Sequence, residues 1–135
     1  MPPAHDSEPA ETDHIELNDL FNIGQWQDRI SWQPFYDGAD IHRLYGDGIT
    51  GPSAALIRFR PGGKVPVHLH AGYEHIIMLH GTQRDHNKEA AAGTLIINPP
   101  GTAHGVVSDG GCIVLAIYEK PGEFADAATL PAGTT

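Results

Sequence analysis

The stretch of residues 62–81 constrains the fold and the chemistry of this chain more than any other. His68 and His70 lie two residues apart in it, and Glu74 follows four residues after the second histidine. Because side chains alternate between the two faces of a strand, both histidines are expected to point to the same side. A tight turn then lets Glu74 reach that side from the neighbouring strand. Two imidazoles and a carboxylate on one face predict part of a metal site, which His104 would complete.

Short apolar and β-branched runs, bounded by glycine and proline, recur along most of the chain. The clearest cover residues 54–60, 74–80, 94–98 and 112–119. The 16 Gly and 11 Pro suit short strands joined by tight turns better than long helices. We therefore predict an all-β protein of about eight or nine strands, arranged as a sandwich or a closed barrel with short helical turns only.

A length of 135 residues fits a single domain. Residues 1–13 are rich in Pro, Glu, Asp and Ala, which predicts a flexible N-terminal tail. The strand pattern fills residues 14–121, and we expect these to form the single β domain. Within them, residues 15–24 are expected to form a short strand and then one helical turn. Residues 122–135 are predicted to be a loose C-terminal tail.

The composition limits the partners and the compartment. The formal net charge of −9 makes nucleic acids and anionic membrane surfaces poor partners. The N-terminal residues do not resemble a signal peptide, and no apolar run approaches the roughly 20 residues of a membrane helix. These features predict a cytoplasmic protein without a membrane segment. The single cysteine, Cys112, lies in an apolar run and is predicted to be a buried, unreactive thiol.

Strand alternation also gives candidates for roles beyond metal binding. His80 is two and four residues from two apolar positions that follow Glu74 on one face, so we expect it to point inward. His80 is therefore the candidate catalytic residue, lining the pocket or moving a proton. His75 is expected on the opposite face, and its role stays open. Arg58 would bind a substrate carboxylate if it faced the interior, but an outward, solvated position is favoured.

Asn98 lies just before the Pro-Pro-Gly turn at residues 99–101. Its amide is expected to hydrogen-bond a turn amide, and a bond to a metal-binding histidine is the alternative. Either bond would help to fix the loop that leads to His104.

Two motifs make the sequence resemble the cupin superfamily. The first is Gly, five residues, His-x-His, three residues, Glu, six residues, Gly. It is met by Gly62, His68, His70, Glu74 and Gly81. The second is Gly, five residues, Pro-x-Gly, two residues, His, three residues, Asn. It is met by Gly93, Pro99, Gly101 and His104, with Ser108 in place of the Asn.

Shorter strings, including Trp32-Gln33-Pro34 and residues 98–104, also resemble one cupin subgroup. That subgroup contains the cupin domains of anti-sigma factors and small dioxygenases that resemble acetylacetone-cleaving enzymes. The resemblance implies a cupin β-barrel, also called a double-stranded β-helix or jelly roll. It also implies one divalent metal ion (Fe, Zn, Mn or Ni) at the barrel mouth and a homodimer formed through strand edges. The metal ligands would be His68, His70, Glu74 and His104.

Three neutral imidazoles and one carboxylate suit a divalent first-row ion. On an octahedral ion these four ligands leave about two positions open for a small-molecule substrate. On a tetrahedral ion the same ligands close the shell, and the site is structural. The identity of the metal therefore decides between a catalytic and a structural site.

The favoured functional hypothesis is a metal-dependent dioxygenase that acts on a small oxygenated molecule such as a dione or an enol. One alternative is a non-catalytic metal- or ligand-sensing module. Another is a metal-dependent isomerase or lyase of a small acid or sugar. Residues 1–61 are too short and too strand-like for the helical domain that would grip a sigma factor, which counts against a stand-alone anti-sigma role.

Overall fold

The computed structural model describes residues 13–86 and 88–124. Within them, ten strands curl into one antiparallel sheet with the order β1-β2-β3-β9-β5-β8-β4-β10, and β6 and β7 both pair with β5. The strands are β1 (Gln33–Tyr36), β2 (Ala39–Tyr45), β3 (Ser53–Phe59), β4 (Gly63–His70), β5 (Glu74–Arg84), β6 (Glu89–Ala91), β7 (Leu95–Asn98), β8 (Ala103–Ser108), β9 (Cys112–Tyr118) and β10 (Gly122–Phe124). The predicted all-β cupin barrel is confirmed.

Strand β5 joins the two halves of the barrel. Up to Gly81 it pairs with β7 and β9, and beyond that residue it pairs with β6 and, at Arg84, with β8. Gly81 has a φ of 73°, and a Cβ there would lie 2.9 Å from Cα of Cys112. Only glycine fits this backbone without strain, so the motif glycine marks the point where the strand changes partners.

Two apolar clusters lie on opposite faces of the β3–β9–β5 region. Alternation sends Leu56 to the outer face and Ile57 to the barrel interior, because neighbouring residues of a strand face opposite sides. The inner cluster includes Ile57, Phe59, Ile76, Met78, Val114 and Ala116. The outer cluster includes Ile23, Trp26, Ile30, Leu56, Leu79 and Ile113.

A helical segment covers the outer cluster. It consists of a 3-10 turn (Leu20–Asn22), a single α-helical turn α1 (Ile23–Trp26) and a second 3-10 turn (Gln27–Arg29). The expected helical turn in residues 15–24 is therefore present, but the expected strand before it is wrong, because residues 14–17 have no regular secondary structure. Apolar residues three or four apart, at positions 17, 20, 23, 26 and 30, supply a helical period that packs against the sheet.

The C-terminal boundary also differs from the prediction. Gly122 begins β10, and its three residues pair with β4 opposite His68, Leu69 and His70. The expected loose tail is wrong for these residues, because the edge of β4 offers unpaired backbone groups for a further strand. The rest of that tail, residues 125–135, and residues 1–12 of the N-terminal tail lie outside the described residues. None of the helical turns in the described chain is long and apolar enough to cross a bilayer.

Candidate metal centre

Four side chains that are far apart in sequence meet inside the barrel. His68 and His70 lie on β4, and His104 lies on β8 directly opposite His68. Glu74 is the first residue of β5. All four side chains are buried, and their ligand atoms lie within 4.8 Å of one another. The three imidazole rings surround a common point, with ring centroids 4.8–5.0 Å apart.

Glu74 reaches the cluster by a different route from the one expected. It pairs with Asn98 of β7 and Tyr118 of β9, not with a residue of β4. The carboxylate therefore does not come from the strand beside the histidines. Its approach depends on the curl of the sheet, which no alternation pattern along one strand can indicate.

Two of the histidines are oriented by acceptors at Nδ1. The Nδ1 of His68 lies 2.9 Å from the carbonyl oxygen of Pro66, and the Nδ1 of His104 lies 3.3 Å from a carboxylate oxygen of Asp85. A carbonyl and a carboxylate can only accept, so each Nδ1 carries the proton. The proton-free Nε2 is then the nitrogen that each ring offers to a metal.

The tautomer of His70 follows from a two-step hydrogen-bond chain. The hydroxyl of Thr102 donates to the carbonyl oxygen of Pro99 at 2.6 Å. Its single proton is thereby used, so the hydroxyl accepts the Nδ1–H of His70 at 2.9 Å. The Nε2 of His70 is thus left with a lone pair that points into the cluster.

This lone pair faces a second acceptor. The Nε2 of His70 is 3.1 Å from Oε1 of Glu74, yet it is buried and makes no hydrogen bond of acceptable geometry. Two buried acceptors at this separation repel each other unless a positive charge lies between or beside them. A divalent cation bound by the four ligand atoms supplies that charge, so the residues fit a metal ion.

Two further side chains fix the carboxylate of Glu74. The amide Nδ2 of Asn98 donates to Oε1 at 2.9 Å, and the hydroxyl of Tyr118 hydrogen-bonds the same carboxylate. Burial and the negative charge of Glu74 raise the pKa of Tyr118, so the phenol keeps its proton and donates. Asn98 therefore binds neither the turn amide nor the histidine that were expected. The sequence analysis missed Tyr118, although alternation along β9 from Val114 would have placed it on the inner face.

The charge states of the cluster suit metal binding. Burial lowers the pKa of His68 and of His104 below the ordinary histidine value. Burial alone would raise the pKa of Glu74, but the hydrogen-bonding groups around it, the amide of Asn98 among them, outweigh that effect and lower it. At neutral pH the site therefore presents His68 and His104 as neutral imidazoles and Glu74 as an ionised carboxylate, which are the forms that bind a cation.

A cavity of about 280 Å³ adjoins the cluster. His68, Glu74 and His104 line it, so one side of the candidate metal position faces open space. Most of the remaining wall is apolar and comes from Phe35, Ile41, Ile57, Phe59, Val65, Ile76, Val106 and Val114. Besides the three candidate ligands, the polar lining residues that the structure describes are Tyr36, Arg43, Ser53, Gln83 and Tyr118, and Arg43 is the positively charged member of this set.

His80 is not part of this site, and its predicted inward position is wrong. A β-bulge between Met78 and His80 places both Leu79 and His80 opposite Ile113, on the outer face. The exposed imidazole of His80 lies against the helical segment, where a Cβ on Gly24 would come within 2.8 Å of the ring. The candidate catalytic role of His80 loses its geometric basis.

The other open candidates also lie outside the cavity. His75 is half-buried on the outer side of β5, opposite Ile97 of β7. Arg58 faces outward, as expected, and its guanidinium lies 3.4 Å from a carboxylate oxygen of Asp40. The guanidinium also stacks over the ring of Trp32, with Cζ 4.6 Å from the centroid. Arg58 is thus occupied by structural contacts of the outer face.

A jelly-roll barrel with four buried His and Glu side chains that could hold a metal ion beside a cavity has the architecture of a cupin. Residues 23–121 match the model of the ChrR cupin-like domain, and the chain belongs to this family. The resemblance to the cupin domains of anti-sigma factors is confirmed. No curated protein matches the chain.

Solved structures agree with this assignment. The crystal structure of Rhodobacter sphaeroides SigE in complex with the anti-sigma ChrR matches with 28% identity and a TM-score of 0.59, over 66% of this chain and 48% of that chain. An acetylacetone dioxygenase from Acinetobacter johnsonii matches with 16% identity and a TM-score of 0.69, over 98% and 90% of the two chains. The polyketide cyclase RemF from Streptomyces resistomycificus matches with 22% identity and a TM-score of 0.56, over 73% and 82%.

These matches differ in what they establish. The chain spans about half the length (48%) of the chain that it matches in the SigE–ChrR structure. The dioxygenase and the cyclase share the fold with it at low identity. The ChrR match is a complex with another protein, and the homodimer predicted from the resemblance gains no support from these comparisons.

Proposed function

We propose that this protein is a metal-dependent dioxygenase that acts on a small oxygenated molecule such as a dione or an enol. The observation that carries the proposal is the position of the four-ligand cluster at the wall of an apolar cavity. A divalent ion bound there would act as a Lewis acid toward oxygen atoms of the substrate. The proposed ligands are His68, His70, Glu74 and His104.

The lining of the cavity indicates which side of the metal would face the substrate and how large that substrate can be. His70 lies behind the cavity wall, whereas His68, Glu74 and His104 line it, so exchangeable positions would face the substrate. A volume of about 280 Å³ lies near the lower limit of small-molecule sites, which favours a substrate of few atoms. The apolar part of the wall would lower the local dielectric and strengthen the electrostatic effect of the ligand set.

The shared fold supports the proposal by analogy only. The acetylacetone dioxygenase from Acinetobacter johnsonii has a barrel of the same architecture, matched over nearly the whole of both chains. A fold hosts many chemistries, so the argument depends on the cluster and its cavity and not on the match.

Metal analysis followed by oxygen uptake tests the proposal. The protein is purified without chelators, its metal content is measured, and the iron-loaded form is assayed with a panel of diones, enols and phenols. We expect one ion per chain and substrate-dependent oxygen consumption. His104→Ala should lose both, and His80→Ala, on the outer face, should keep both. Iron-loaded protein that consumes no oxygen with any member of the panel contradicts the dioxygenase.

A second candidate is a metal- or ligand-sensing module without catalysis. It is favoured by the family assignment, because ChrR itself is an anti-sigma protein bound to SigE in the matched structure. In that case the four side chains would close a tetrahedral shell around zinc and hold the barrel. Tightly bound zinc with no exchangeable water, measured by water-proton relaxation of the cobalt-substituted protein, would support this candidate over the enzyme.

A further inference from the structure

Arg43 shares the inner face of the sheet with the metal cluster. It lies opposite Ala55 of β3, Ala55 lies opposite Ala116 of β9, and Ala116 lies opposite Ile76 of β5. These four residues form one row across four strands. The side chain of Arg43 lines the same cavity as His68, Glu74 and His104.

The next row toward the metal ligands contains Ser53, Tyr118 and Glu74, which face one another across β3, β9 and β5. The two alanines between Arg43 and Ile76 are almost fully buried and have the shortest side chains that a strand can present. No bulky group of that row therefore separates Arg43 from Tyr118.

The turn between β2 and β3 leaves room for the guanidinium of Arg43. Gly48 lines the cavity beside it, and a Cβ at this position would lie 2.8 Å from Cζ of Arg43. Gly48 also has a φ of 73°, which favours glycine. The absence of a side chain at residue 48 lets the charged head group lie against the backbone of the turn.

Arg43 differs from Arg58, Arg60 and Arg84 in its partners. Arg58 and Arg60 both contact Asp40, and Arg84 contacts Asp109. Within the described residues, no carboxylate forms an ion pair with Arg43. Among the described lining residues, Glu74 is the only one with a carboxylate, and it belongs to the candidate metal ligands.

We propose that Arg43 forms an anion-binding site in this cavity and that the substrate is a small oxygenated carboxylic acid. The metal-binding oxygen atoms of the acid would face His68, Glu74 and His104. Its distal carboxylate would form a bidentate ion pair with the guanidinium of Arg43. The apolar wall would hold the short carbon chain between them. This inference rests on the proposed metal function and narrows its substrate class from neutral diones to oxygenated acids.

The experiment compares ligands that differ only in the distal carboxylate. Manganese-loaded protein, kept free of oxygen so that no turnover occurs, is titrated by calorimetry with 2-oxoglutarate and with 2-oxopentanoate, because an octahedral ion leaves positions open for both acids. Both acids offer the same keto and carboxylate oxygens to a metal, and only the first has a second carboxylate for Arg43. We expect 2-oxoglutarate to bind roughly ten- to one-hundredfold more tightly, which is the range for a charge-assisted contact.

Variants assign that preference to one residue. Arg43→Gln should remove the preference, Arg43→Lys should restore part of it, and Arg60→Gln, on the outer face, should leave it unchanged. Metal content is measured for every protein. Equal binding of the two acids by metal-loaded wild type, or an unchanged preference in Arg43→Gln, overturns the anion site and leaves the metal centre standing. Wild type that binds no metal overturns both.

Discussion

Thr102 accepts a hydrogen bond from His70 at 2.9 Å while its own proton is donated to Pro99. The backbones of the two segments are joined as well, since N–H of His70 donates to the carbonyl of Thr102 and N–H of Gly101 donates to the carbonyl of His70. The loop before His104 thus orients a histidine on β4. One motif supplies the ligand, and the other fixes its tautomer.

Thr102→Val should weaken metal binding with little change in shape. Valine fills the space of threonine but leaves the Nδ1–H of His70 without an acceptor, so the ring is free to turn or to change tautomer. We expect about a ten- to one-hundredfold loss of metal affinity, measured by competition with a chromophoric chelator. Thr102→Ser keeps the hydroxyl and should bind metal as wild type does. Equal affinity for the valine variant would contradict the proposed role.

Tyr118→Phe should also weaken metal binding. The variant keeps the ring but removes the hydroxyl that hydrogen-bonds Glu74, so the carboxylate is held only by Asn98. The loss of one charge-assisted hydrogen bond is expected to lower metal affinity about tenfold. Tyr45→Phe changes an exposed tyrosine and serves as the matched control. A larger loss of affinity in the control than in Tyr118→Phe would contradict this account.

The metal-free protein should lose stability as the pH falls below about 6.5, the ordinary pKa of histidine. Burial lowers the pKa of His68 and His104, so the unfolded chain binds more protons than the folded chain below that pH. Stability therefore decreases from about pH 6.5 down through the lowered pKa values. Urea denaturation of chelator-treated protein between pH 8 and pH 5 measures this decrease. The double variant His68→Gln/His104→Gln should show a smaller decrease in stability over this pH range. A urea midpoint of the wild type that rises as the pH falls would contradict the prediction.

Cys112 should be unreactive in the folded protein. It is 2% exposed, and burial raises the pKa of its thiol to about 11, so the thiolate is scarce at pH 8. An aromatic disulfide reagent should label it only after unfolding in denaturant, followed by absorbance. Rapid, complete labelling without denaturant would show that the thiol is accessible and would contradict its burial.

The sequence indicates features that depend on spacing along one strand or turn. The motif glycines, the two histidines of β4 and the apolar residues of β9 follow fixed intervals, and local sterics translate those intervals into structure. Ser108 departs from the second motif, yet its buried hydroxyl donates to the carbonyl of Thr82 and joins β8 to β5. The substitution keeps a polar link at that position.

Features that depend on the register between strands cannot be predicted from spacing along a single strand. Simple alternation along β5 predicts that His80 points inward, but a β-bulge opposite Ile113 turns it outward. Arg43 and Tyr118 line the same cavity because of the register of β2, β3, β9 and β5. The sequence of any one strand does not reveal this register. One helical turn was expected before β1, but its continuation over residues 20–29 was not, since the apolar period of this segment is explained only by the sheet face that it covers.

The most direct test of the metal centre is the number of metal ions that each chain retains after loading with a single first-row ion and desalting. Elemental analysis of wild type should give about one ion per chain. His104→Ala should retain far less, whereas His80→Ala should match wild type because its imidazole lies on the outer face. A wild-type chain that retains no ion, or a His104→Ala chain that retains as much as wild type, would contradict the account.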